Sequence, residues 1–136
     1  MHTVDLSRLV GSTGVVHAFE PQRLMFQLLC ANVALNSCAN VFTHQTAVGA
    51  ASDTLLVPSL DPAECHNYGG LSLLRPEPGE PVPSITIDSL DLRDCQFIKI
   101  NVEGMETEAL HGAVATIERF RQSCTSKMIA SPDRRN

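Results

Sequence analysis

The stretch Phe97-Ile98-Lys99-Ile100-Asn101-Val102-Glu103-Gly104-Met105-Glu106 decides how this chain is read. It has the make-up of a buried strand that ends in a cluster of polar side chains and opens directly into a helix. In α/β proteins ligands bind at such strand ends, because backbone and side chains converge there on a crevice outside the sheet. A second stretch, Val15-Val16-His17-Ala18-Phe19-Glu20-Pro21-Gln22, has the same plan: an apolar strand, a terminal carboxylate, then a helix beginning at proline. Two such units point to a nucleotide-type site rather than a purely structural domain.

Working outward, residues 5–10 fit a short helix capped by Asp5. Gly11-Ser12-Thr13-Gly14 is a turn, and residues 15–19 are the first strand. Pro21 suits the first position of a helix, where its missing N–H is not needed. Leu24, Met25, Leu28, Leu29 and Val33 then recur at helical spacing as far as Asn36. Residues 41–48 form the next strand. Residues 54–57 and 71–74 make an antiparallel excursion around the polar loop 61–70. The prolines of 75–81 exclude regular structure there. A strand over 84–88, a short helix over 88–92, the strand 97–102 and a long helix over 105–120 complete the pattern. Ala109, Ala113, Ile117 and Phe120 line one face of that last helix. Strands alternating with helices imply βαβ units and a mainly parallel sheet. Residues 121–136 carry no periodicity and read as a disordered tail behind a domain of residues 1–120.

Composition narrows the function. The 136 residues fit one domain. The net charge is −5 and no basic stripe is present, so nucleic acid is a poor partner. No apolar run is long enough to span a membrane, and residues 1–20 lack the form of a signal peptide, which leaves the cytoplasm as the default address. The five cysteines are odd in number and none forms a C-x-x-C pair, so neither a disulfide framework nor a zinc site is signalled. The histidines are scattered and imply no metal.

Several motifs, in order, resemble the FkbM family of S-adenosylmethionine-dependent methyltransferases. They are Ala18-Phe19-Glu20-Pro21-Gln22, then Phe26-x-x-Leu29-x-x-Asn32-Val33-Ala34-Leu35-Asn36, then Ile87-Asp88-Ser89-Leu90. The most specific is Ile98 to Glu106, followed by Glu108-Ala109-Leu110-His111-Gly112-Ala113. The resemblance implies an α/β, Rossmann-like methyltransferase fold with a mainly parallel sheet and flanking helices. It implies S-adenosylmethionine as cofactor and a small-molecule methyl acceptor, a metabolite or sugar oxygen. Glu20 would bind the ribose hydroxyls, since a carboxylate accepts two charge-assisted bonds from a vicinal diol. Its other reading is a charge favoured by the dipole of the helix that opens at Pro21. Ala47 and Val48 would border the adenine, or be ordinary sheet core.

The sequence also departs from the family. The family's first strand and glycine-rich cofactor turn are expected ahead of the helix that leads to Val15, and Gly11 and Gly14 do not replace that turn, because they precede a strand. The family's C-terminal strands are expected after residue 120, where no strand signal is visible. The chain thus reads as a partial domain, either a methyltransferase or a non-catalytic remnant serving as an interaction fragment. Position 101 is Asn where the family usually has Asp. A hydroxyl acceptor needs alignment and a destination for its proton, which makes Asn101 and Glu103 the catalytic candidates and puts the base in question. Glu106 is equally suited to the helix dipole, and Asn67 and Gly69 lie in a loop that the resemblance places over the site.

Overall fold

The computed structural model describes residues 2–58, 79–102 and 104–120, together with the backbone of 123–126. Helix α1 (His2–Val10) comes first, with Asp5 in its first turn rather than at its cap. Gly11 ends it at φ 71°, the left-handed conformation that a helix C-terminus favours and glycine adopts freely. The Asn40 side-chain amide seals this end by donating to the carbonyls of Ser7 (3.0 Å), Gly11 (3.0 Å) and Gly14 (3.2 Å). Strand β1 (Val16–Phe19) follows, then α2 (Arg23–Leu35) with Gln22 at its N-cap and Asn36 at its C-cap. Pro21 therefore stands just before the cap, not at the first helical position.

Among the described residues the strands form three separate sheets rather than the expected one; three of the four pairings are parallel, as expected, and the fourth is antiparallel, so the sheets are mixed. The predicted strand 41–48 divides. Its first part, β2 (Val41–His44), pairs in parallel with β1, and its second, β3 (Ala47–Val48), pairs in parallel with β5 (Gly79–Ile85). Strand β4 (Asp53–Pro58) runs antiparallel to β5, from Asp53 beside Ser84 to Pro58 beside Gly79. β5 overturns two expectations: residues 79–81 are strand despite their proline, and 86–88 are not. Pro81 and Pro83 are exposed and alternate with buried Val82 and Ser84. β3 reaches only Ser84 and Ile85, so among the described residues no strand pairs with β5 at either proline on that side, the setting in which a strand tolerates a missing N–H. Residues 61–70 and 71–74, with Asn67 and Gly69, lie outside the described residues.

The third ladder pairs β6 (Phe97–Ile100) in parallel with β7 (Ser123–Ser126). A C-terminal strand thus exists where none was expected. Its sequence, Ser-Cys-Thr-Ser, has no apolar alternation, and backbone pairing requires none. Ile98 and Ile100 are buried, while Lys99 between them is half-buried on the opposite face. Ile87, Ile98, Ile100, Ala109 and Ala113 form the core, joined by Val48, Leu90, Val102, Leu110 and Ile117.

The long helix predicted over 105–120 is two: α3 (Glu106–His111) and α4 (Val114–Phe120). The break is tertiary in origin. The Gly112 carbonyl accepts a hydrogen bond from the Asp88 N–H (2.9 Å), at the start of a 3-10 turn over Asp88–Leu90. The Asp88 carboxylate then caps α4, accepting from Ala115 N (3.1 Å), Thr116 N (2.8 Å) and Thr116 Oγ1 (2.7 Å). Gly112 has ordinary helical angles (φ −75°, ψ 0°). It is glycine for want of space, because a Cβ there would overlap the Gly49 carbonyl and press on Thr86.

Two predictions follow from this junction. Gly112→Ala carries no backbone penalty, so its cost is steric, about 1–3 kcal/mol, seen as a lower urea midpoint. An unchanged midpoint would contradict the close approach. Asp88→Ala removes the cap and costs about 1–2 kcal/mol at neutral pH. Burial, the largest single influence, pushes the Asp88 carboxyl up, but the bonds from Thr116 and Ala115 together hold it below its ordinary value. The folded pKa is depressed, so this stabilisation is full above the unfolded value and is lost as pH falls through the folded one. Urea titrations of wild type and Asp88→Ala should therefore converge below the ordinary carboxylate range.

Candidate functional site

β1 delivers Glu20 to its place. The Glu20 N–H donates to the His44 carbonyl (3.0 Å), which extends the β1–β2 pairing by one bond. Pro21 then fixes the turn into α2. Glu20 Oε1 accepts the Gln22 N–H (2.9 Å), and no donor among the described residues reaches Oε2. Burial pushes the Glu20 carboxyl up, and the Gln22 N–H pulls it only partly back. The folded protein thus holds this proton more tightly than the unfolded chain does. Above the raised pKa the charge costs stability, and the cost disappears as pH falls toward the unfolded value.

Gln22 is a candidate that the sequence did not disclose. The residue is 7 % exposed, and its Oε1 is buried with no hydrogen-bond partner among the described residues. Gln22 lines a cleft with Pro21, Leu24, Val57, Pro58 and Val82, of about 20 Å³, enough for a single water. The Arg23 Nε donates to both Glu80 oxygens (3.0 and 3.1 Å) at its rim. This pair is exposed and adds little stability.

The other predicted residues lie elsewhere. Ala47 is 2 % exposed in β3, and Val48 packs against the core beneath β6. Asn101 is exposed immediately after β6, at the strand end that corresponds to Glu20 after β1. No hydrogen bond among the described residues joins Glu20 to Asn101. Glu103 lies outside the described residues. Gly104 turns at φ 94°, and its N–H donates to Glu106 Oε2 (3.0 Å), so Glu106 closes the loop ahead of α3. Among the described residues no three metal-ligating side chains cluster, and no helix is long and apolar enough to cross a membrane.

The partly buried Glu20 carboxylate is an acceptor short of donors among the described residues. Comparison with known proteins bears on this. None of the curated proteins compared matches the chain. The crystal structure of methyltransferase FkbM from Methylobacillus flagellatus KT shares its fold at a TM-score of 0.64 and 19 % identity. The alignment covers 91 % of this chain and 30 % of that one, so this chain spans under a third of that structure's length. The model of the methyltransferase FkbM domain matches residues 2–127. On that match the chain belongs to the FkbM family of S-adenosylmethionine-dependent methyltransferases.

Proposed function

We propose that this chain is the part of a cytoplasmic methyltransferase that holds the ribose of S-adenosylmethionine at Glu20 and helps transfer the methyl group to an oxygen of a small metabolite or sugar. The observation that carries the reading is the Glu20 carboxylate, held at a strand end by one backbone N–H, short of solvation, with no donor among the described residues at Oε2. A vicinal diol would supply two charge-assisted donors to it. Pro21 holds the turn rigid, and Ala47 and Val48 form the apolar border of the adenine. The bound cofactor contributes an electrophilic methyl on a sulfonium. Asn101 orients the acceptor hydroxyl through its amide and cannot remove the proton, because an amide is not a base. Glu103 takes that role. The competing reading, a non-catalytic remnant that works as an interaction fragment, is favoured by exposed apolar side chains such as Leu9 (81 %) and Leu35 (84 %).

Calorimetric titration of the folded chain with S-adenosylhomocysteine separates the two. Methyltransferase function predicts binding at about micromolar strength, lost in Glu20→Ala. Affinity should rise with pH through the raised Glu20 pKa, because the diol bonds to the charged form. A chain folded by circular dichroism that binds nothing would leave the remnant reading. A further prediction concerns the free protein. Glu20→Gln keeps an acceptor for the Gln22 N–H and removes the buried charge, so its melting midpoint at neutral pH should rise by roughly 1–4 °C, with the gain shrinking toward acid pH. A lower midpoint at neutral pH would show that the charge serves the fold.

A further inference from the structure

Four rings occupy one face of the β1–β2 ladder. In the parallel register His17 stands beside Phe42 and Phe19 beside His44. Side chains alternate along each strand, so these four share a face. Ala18 and Thr43 occupy the other, where Cys30 Sγ of α2 meets Thr43 Oγ1 (3.4 Å). The rings stack in sequence: Phe42 on His17 with centroids 5.7 Å apart, His17 on His44 at 5.4 Å, and His44 on Phe19 at 4.7 Å. The stack holds both imidazoles in place and brings His17 Nδ1 to 3.1 Å from His44 Nε2. His17 is exposed and Phe42 is 53 % exposed, so the face is open to solutes.

We propose that His17 Nδ1 and His44 Nε2 chelate one divalent transition-metal ion of the Zn²⁺ type. Two imidazole nitrogens at ordinary bond lengths of about 2.0–2.1 Å stand roughly 2.9–3.4 Å apart at right-angled to tetrahedral geometry, and the observed separation lies within that range. Imidazole suits Zn²⁺, Cu²⁺ and Ni²⁺, whereas Mg²⁺ and Ca²⁺ prefer oxygen. An ion at this place would bind the lone pair of each facing nitrogen, with the proton of each neutral ring on its outer nitrogen, so binding by the neutral pair releases no proton overall. No third histidine, cysteine or carboxylate joins the group among the described residues, and water fills the remaining positions. The His44 carbonyl accepts the Glu20 N–H, but neither imidazole takes part in the proposed cofactor contacts, so the inference does not rest on the methyltransferase reading.

The test is titration of the reduced chain with ZnCl₂, observed through the ¹⁵N resonances of its histidine rings. This readout separates the pair from zinc bound by cysteines. The expected result is that the His17 and His44 ring signals move together and saturate near one equivalent, while those of His2 and His111 stay in place. His17→Gln and His44→Gln should each weaken this binding by roughly tenfold or more, and each by nearly as much as the double variant, because a chelate fails when either arm is lost. Ring signals of the pair that titrate with pH and ignore millimolar Zn²⁺ would overturn the proposal and leave a proton-sharing pair only. So would single variants that bind as tightly as wild type.

Discussion

The approach of the Gly112 backbone to the Gly49 carbonyl sets the arrangement of this molecule. It brings the turn after β3, the 3-10 turn and the two C-terminal helices to one point. Asp88 fastens them there, giving its N–H to the Gly112 carbonyl and its carboxylate to the first turn of α4. With the helices so placed, Ala109 and Ala113 meet Ile98 and Ile100. β6 is thereby positioned, and with it Asn101. Two motifs that tie the sequence to its family, Ile87-Asp88-Ser89-Leu90 and Leu110-His111-Gly112-Ala113, are thus parts of the junction. They record how the domain is assembled and say nothing of its substrate.

This explains which parts of the fold were legible. β1, α2 and β6 were readable because each carries a regular apolar pattern, and pattern is a property of the segment itself, although only β6 buries residues of it fully. The division of 105–120 into α3 and α4 was not, since its apolar spacing continues across Gly112 and the interruption comes from Asp88, more than twenty residues earlier. The division of 41–48 is similar: the side chains read as one strand, but β2 and β3 take different partners. β5 was hidden by prolines that signal a break unless the neighbouring side of the strand is known to be open. β7 was hidden because its residues carry no apolar alternation.

The candidate site was legible only in part. Glu20 and Asn101 became candidates because a polar residue at the end of an apolar strand is visible in the sequence. Gln22 looked like an ordinary helix-start residue, and only its burial, with an Oε1 unpartnered among the described residues, marks it. The His17–His44 pair was equally invisible. Two histidines twenty-seven positions apart become neighbours only through the register of β1 and β2.

The structure also weighs the two readings of Glu20. A carboxylate present to stabilise α2 would bond the free N–H groups of the first helical turn, two or three residues past the cap. Glu20 instead bonds the N–H of the cap residue itself, and the Gln22 side chain makes no capping bond. The helix therefore gains little from Glu20 beyond a charge near its dipole, while burial opposes that charge. A structural role would be served better by Ser or Asp at position 22. A partly buried carboxylate that is costly to the free protein, with one donor among the described residues, is what a ligand site pays in stability. A diol at Glu20 would relieve that cost, which fits the proposed ribose role better than the cap.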